Sequence, residues 1–193
     1  MTRTFIALEM NENLQRHLVE VISQVAQALP RIRWVDPSGI HLTLAFLGEL
    51  DDAQLEQATQ ATTNAARQIR PFSYRLSHIG IFGSQRQPRV IWMGIEGNSG
   101  SLTRLHRVLK QELEQRGFET DNRPFSPHLT LARIKAPLAP EDLQSLQNLL
   151  TGKQQGIVSS SEYTVEYVNV MKSELHRSGA QYTCLHAFSL NDA

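Results

Sequence analysis

Residues 40–48 read IHLTLAFLG and residues 127–134 read PHLTLARI, so the five letters HLTLA occur twice in a chain of 193 residues. Leu42 and Leu44, like Leu129 and Leu131, alternate as in a strand with one buried face. The opposite face carries His41 with Thr43, and His128 with Thr130. The two copies lie 128 − 41 = 87 residues apart, and the same step relates other positions. Phe5, Ile6, Ala7, Leu8 and Glu9 fall on Trp92, Met93, Gly94, Ile95 and Glu96, Asn11 falls on Asn98, and Pro37 falls on Pro124. Chance supplies single repeated pentapeptides. A first strand, a helix cap and a proline matching at one offset without a gap point to internal duplication.

The periodicities on either side fill out the repeat. A short apolar run predicts a strand over 4–10. Leu14, Leu18, Val21, Ile22, Val25 and Leu29 then follow at helical spacing, with Asn11 as N-cap. Strands are expected over 40–47, 72–82, 90–95 and 128–134, with the loop GSQRQPR at 83–89. A helix with a thin apolar stripe is expected over 51–70. A third helix carries Leu102, Leu105, Val108, Leu109 and Leu113 and ends at Gly117. Pro140 opens a fourth, through Leu150. Segments 163–171 and 182–190 read as a closing hairpin around the loop SELHRSGAQ. The expected fold is α+β: two duplicated lobes related by a pseudo-two-fold, with antiparallel sheets flanking a central cleft and helices outside. No linker divides the chain, so 1–193 reads as one bilobal domain. Its approximate repeats are 1–87 and 88–193, with room for strands to be exchanged between lobes.

Composition narrows the function. Nineteen basic side chains balance nineteen acidic ones, which argues against a long nucleic-acid footprint and leaves room for a small anionic ligand. The single Cys184 cannot form an internal disulfide or a thiolate cage, so a reducing compartment fits. No run approaches the roughly 20 apolar residues of a membrane span, and MTRTFIALEM lacks the pattern of a cleaved leader. The chain reads as soluble and cytoplasmic, with no membrane and no obligate protein partner.

A pseudo-two-fold that joined the lobes across a cleft would bring two imidazoles and two hydroxyls together. Imidazole titrates near pH 6.5, so one histidine can be neutral while the other is protonated, as general acid–base catalysis requires. Each copy offers one imidazole and no nearby Asp, Glu or Cys on its face, so no metal or other cofactor is expected. His17 and His106 are expected at the polar edges of helices. His78, His176 and His186 are read as structural or solvent-facing, and Trp34 and Trp92 as packing residues. Arg86 and Arg89 are solvated unless their loop borders the cleft.

The paired H-x-T-L strands, with HLTLAFLGE, NRPFSPHLTLAR and SELHRSGAQYTCLHAF, resemble the 2H phosphoesterase superfamily over essentially the whole chain. The branch they resemble is the bacterial RNA 2',3'-cyclic phosphodiesterases, once called 2'-5' RNA ligases. The resemblance implies metal-independent opening of a 2',3'-cyclic phosphate on RNA or a nucleotide to a 2'-phosphate, with 2'-5' ligation as the reverse. It implies that His41 protonates the leaving 3'-oxygen and that His128 activates water or a 5'-hydroxyl. Thr43, Thr130 and Arg133 would bind phosphate, and Phe46 would either stack on a nucleobase or pack in the core. Strict alternation places Phe46 and Arg133, each five residues beyond its histidine, on the wrong face. A bulge or the strand's end must turn them inward. Other readings are a related phosphodiesterase for an ADP-ribose cyclic phosphate or a 2'-5' oligonucleotide, and a non-catalytic module that binds RNA ends.

Overall fold

A computed structural model of the chain describes residues 1–8, 10–97, 99–152, 161–176 and 179–191. Glu9 and Asn98 of the 87-residue correspondence, and Arg177 and Ser178 of the last loop, lie outside the described residues. The elements in order are β1 (Thr2–Leu8), α1 (Glu12–Ala28), a 3-10 turn (Pro37–Gly39), β2 (Leu42–Leu50), α2 (Asp52–Ala66), β3 (Phe72–Gly83) and β4 (Pro88–Gly97). They continue with α3 (Ser99–Glu114), β5 (His128–Arg133), α4 (Pro140–Thr151), β6 (Tyr163–Val165), β7 (Tyr167–His176) and β8 (Gly179–Ser189).

Local chemistry sets the helix ends. Asn11 accepts the amide of Leu14 and starts α1. Asp51 and Gln54 form a reciprocal capping box at α2, with bonds of 2.8 and 3.0 Å. α2 ends at Ala66, short of the expected 70, because the amides of Gln68 and Ile69 bond three residues back to Ala65 and Ala66. Such bonds tighten the last turn and leave the α-helical path. Gly117 takes φ +83° just after α3, as its expected stop requires.

All the strands belong to one curled antiparallel sheet of order β6-β3-β4-β5-β2-β1-β7-β8. Two four-stranded halves meet where β2 faces β5, and the one Cα pair there is Leu42↔Leu129. β3 follows β2 in sequence but pairs with β4, and β7, which comes after β5 and β6, pairs with β1. One face of the sheet packs on the helices. Its core joins Ile6, Leu8, Leu42, Leu44, Leu129 and Leu131 to Leu14 and Leu18 of α1, Ala61 and Ala65 of α2, Leu105 and Leu109 of α3, and Leu146 of α4. The other face carries the two histidine motifs and a small separate cluster of Phe5, Ala7 and Met171 with Tyr182.

The last third of the chain departs from expectation. The single strand expected over 163–171 is two strands at opposite sides of the sheet, because β6 pairs with β3 and β7 pairs with β1. The buried positions change phase there, from Tyr163 and Val165 to Val168 and Val170, and the carbonyl of Glu166 is taken by the amide of Leu190. The expected loop over 173–181 is mostly strand, with pairs running from Ser173↔Tyr182 to His176↔Gly179. Its polar composition reflects a ribbon standing in solvent, since the ladder bonds backbone and leaves the side chains free to be polar.

Leu42 is fully buried at the seam. Leu42→Ala should therefore destabilise the protein by roughly 2–5 kcal/mol, read as a lower urea midpoint with an unchanged slope. A loss within about 0.5 kcal/mol would show that the seam is not a packing constraint.

Candidate active site

Both histidines are oriented by the same bond. Nδ1 of His41 lies 2.8 Å from the carbonyl oxygen of Gly39, and Nδ1 of His128 lies 2.7 Å from that of Ser126. A carbonyl only accepts, so each Nδ1 carries a proton and donates it. Nε2 is then the nitrogen left for chemistry, bare in the neutral ring and protonated in the charged one. Both rings are half-buried. Burial pushes the pKa of His41 below its ordinary value of 6.5, the bond to Gly39 opposes this, and the positive charge of Arg133 adds to the lowering.

The two carbonyls are held by unlike supports. Gly39 ends the 3-10 turn, whose cap Asp36 accepts the amide and hydroxyl of Ser38 at 2.9 and 2.7 Å. Ser126 lies in the loop between α3 and β5. That loop is tied to α3 by Lys110 Nζ, 2.9 Å from the carbonyl of Asp121, and by His106, whose ring stacks on Phe125 at 3.9 Å and 8°. His106 is thus half-buried against the loop that supports His128, not at the polar edge of its helix. No local pattern signals this, because Phe125 is 19 residues away and meets His106 only through the fold.

Bulges bring the distant positions onto the histidine face. Between β1 and β2 the pairs step from Ala7↔Thr43 to Ile6↔Ala45, and from Phe5↔Phe46 to Thr4↔Gly48. Leu44 and Leu47 are therefore extra residues on β2, and the first restores Phe46 to the face of His41 and Thr43. The Phe5 ring lies 4.6 Å from His41 and 6.1 Å from Phe46, nearly parallel to the latter. Phe46 is 56% exposed, so it does not pack in the core. The guanidinium of Arg3 lies 5.0 Å from its ring. Between β4 and β5 the pairs step from Trp92↔Thr130 to Ile91↔Ala132, leaving Leu131 extra. Arg133 is then exposed and close enough for its charge to act on His41. Among the described residues, the hydroxyls of Thr43 and Thr130 and the guanidinium of Arg133 are committed to no side-chain partner.

Aromatic rings surround each histidine. Tyr182 meets His41 edge-to-face at 4.7 Å, and Phe82 meets His128 in the same way at 4.7 Å. Trp92 lies 6.3 Å from His128 and 5.3 Å from His78. Trp92 is therefore a residue of the site face, whereas Trp34 packs against the core as expected. The equivalence of Phe5 and Trp92 at the 87-residue step was the one available sign of this. Among the described residues, no group of three His, Cys, Asp or Glu side chains is placed to hold a metal ion, and no helix is long and apolar enough to cross a membrane.

Comparison with known proteins identifies the arrangement. The LigT-like phosphoesterase family matches the chain twice, over residues 8–92 and 95–182, with starts 95 − 8 = 87 residues apart. An RNA 2',3'-cyclic phosphodiesterase of Methanothermobacter thermautotrophicus is 30% identical over 97% of this chain and 98% of its own length. A protein of the same name from Aquifex aeolicus is 28% identical over 96% of this chain and 94% of its own. A crystal structure of a Thermus thermophilus protein matches with a TM-score of 0.82 at 29% identity, covering 99% of this chain and 100% of that one. LigT of E. coli, in complex with 3'-AMP, matches in fold with a TM-score of 0.74 at 23% identity, covering 98% of each chain. With both halves matched and a relative aligned almost end to end, the chain belongs to the LigT-like phosphoesterase family.

Proposed function

We propose that this chain is a metal-independent RNA 2',3'-cyclic phosphodiesterase, acting in a reducing, cytoplasmic setting and leaving a 2'-phosphate. One observation carries the reading: two imidazoles at equivalent ends of two strands joined at a seam each have Nδ1 engaged by a carbonyl and Nε2 available. Two such nitrogens supply a base and an acid at one phosphorus. Family relatives bear this activity in their names.

In this scheme the lone pair of neutral His128 Nε2 takes a proton from water as the water oxygen bonds to phosphorus. His41 carries a second proton on Nε2 and gives it to the 3'-oxygen as the P–O3' bond breaks. The 2'-phosphate monoester remains. Thr43 and Thr130 donate their hydroxyls to the non-bridging oxygens, and Arg133 adds a charge whose fork suits phosphate. Phe46 carries the terminal base on an exposed ring. The base at Phe46 and the cation at Arg133 break the two-fold, which fixes the ribose oxygen that meets His41. With a 5'-hydroxyl in place of water, the same steps in the same direction join ends through a 2'-5' linkage.

His41→Ala and His128→Ala should each lower kcat at least about 100-fold. Phosphorus NMR should show a 2'-phosphate product, and turnover should survive exhaustive chelation. A dominant 3'-phosphate would exchange the acid and base roles, and loss restored by one divalent ion would overturn the scheme.

The pH profile should carry the environment of His41. Turnover needs His41 protonated, so kcat/KM falls as pH rises through its pKa in the free protein, which is lowered. The basic limb of kcat/KM should accordingly lie below that of kcat, because a bound phosphate anion favours the charged imidazole. Arg133→Met removes one lowering influence and should move the limb of kcat/KM upward, while burial keeps part of the shift. Proton NMR of the His41 ring gives the same comparison without substrate, and a limb that stays put or falls in Arg133→Met would contradict it.

A further inference from the structure

β1 and β2 carry three cross-strand pairs down the histidine face, Ala7↔Thr43, Phe5↔Phe46 and Arg3↔Glu49. Along β1 these pairs stand two residues apart, roughly 7 Å by the rise of a strand. The first holds a phosphate-binding hydroxyl of the proposed reaction, and the second its base-bearing ring. The third has no part in it, yet β2 forms its second bulge to make that pair. Glu49 lies three residues beyond Phe46, so strict alternation would turn it to the opposite face. Leu47, the extra residue, returns it to the face of Phe46. Gly48 makes the bend with φ +76°, and a Cβ there would meet nothing within 4 Å. The glycine is needed for its backbone angle and not for space.

Opposite charges facing each other across a ladder ordinarily pair. Arg3 and Glu49 do not. The Arg3 guanidinium lies 5.0 Å from the centroid of the Phe46 ring, and among the described residues neither side chain has a hydrogen-bond or ion-pair partner. Arg3 is half-buried and Glu49 is exposed. A fork of donors and a two-oxygen acceptor thus stand side by side beyond the ring that carries the base, at the end of the site away from Thr43. In a nucleotide whose phosphate lies at Thr43 and whose base lies on Phe46, the outer edge of the base is the part that reaches them.

We propose that Arg3 and Glu49 read that edge and select guanine, so that the substrate class is RNA or a nucleotide ending in guanosine 2',3'-cyclic phosphate. Guanine alone among the four RNA bases presents two acceptors followed by two donors along one continuous edge. The Arg3 fork donates to N7 and O6, the bidentate pairing by which arginine reads guanine in nucleic acids. The Glu49 carboxylate accepts from N1–H and from the N2 amino group, which point the same way. Adenine places its one amino group between two acceptors. Cytosine offers one amino group beside N3 and O2, and uracil one N–H between two carbonyls. Each of these leaves at least one fork half engaged, with a carboxylate oxygen opposite an acceptor, and a site built for hydrogen bonds rejects a ligand that cannot complete them.

This selection rests on the phosphodiesterase reading, and hydrolysis of the four ribonucleoside 2',3'-cyclic phosphates separates the two. The kcat/KM for the guanosine substrate should exceed that for adenosine, cytidine or uridine about tenfold, the low end of the range for one bidentate base contact. Glu49→Gln keeps the shape but sets an amide N–H against guanine's donors, and should bring the guanosine-to-adenosine ratio close to unity. Arg3→Lys keeps the charge without the fork and should lower the same ratio. Loss of folded protein, or a general effect of charge on the phosphate, enters both rates and cancels. Equal rates on all four substrates in the wild type, a preference for another base, or a guanosine preference that survives either substitution would overturn the selection and leave the phosphodiesterase standing. A wild-type protein inert toward all four, and toward oligonucleotides bearing the same ends, would overturn the phosphodiesterase reading itself and the selection with it.

Discussion

One backbone pair organises the site. β2 and β5 share Leu42↔Leu129, and antiparallel pairing about that point makes a local two-fold. The residue before each leucine then faces the residue after the other, so His41 lies across from Thr130 and His128 across from Thr43. Each histidine thus sits beside the threonine of the other copy. The leucines fix the register because they are buried on the helix side. A slip of one residue would send both histidines into the core, at the cost of burying imidazole and exposing leucine.

The histidines are matched in chemistry and not in scaffold. Gly39 is presented by a capped 3-10 turn, and Ser126 by a loop between Pro124 and Pro127 that α3 anchors through His106 and Lys110. Two unlike supports deliver a carbonyl to the same ring nitrogen, at 2.8 Å in one copy and 2.7 Å in the other. What both supports specify is the tautomer, and hence which nitrogen faces the reaction.

Much of this was legible in the sequence, because it is written in short periods. The two HLTLA strands, the Asn11 and Asp51 caps and the Gly117 stop depend on neighbours a few residues apart. The face of Phe46 and Arg133 was not legible, since bulges at Leu44 and Leu131 arise from the pairing of β2 with β1 and β5 with β4. Nor was the break at Glu166, where one apolar run serves opposite sides of the sheet. Its trace was the phase change between Val165 and Val168, which a single expected strand passed over. His106 and Phe82 gain their places only from tertiary contacts. The 87-residue step recurs in the two family matches and in the order of strands about the seam. About that seam β3 lies in the half of β4 and β5, and β7 in the half of β1 and β2.

A two-fold by itself cannot give a reaction a direction, so the direction must come from the positions where the halves differ. Position +5 is aromatic in one copy and cationic in the other, and the cation acts on His41. Together with burial it discourages a proton on that ring. An anion bound between the histidines reverses both effects, since it screens the guanidinium and gives a buried imidazolium a partner. At a separation of about 4 Å and an effective dielectric constant of about 20, two opposite unit charges attract by about 4 kcal/mol, the equivalent of about three pKa units. That is an upper range for a phosphate whose single charge is spread over several oxygens, and it acts opposite to the lowering by burial and Arg133. The substrate itself thus completes the acid. In the proposed reaction a bound phosphate favours the charged His41 ring that burial and Arg133 disfavour, so the half of the site that receives the phosphate's charge is also the half that delivers the proton.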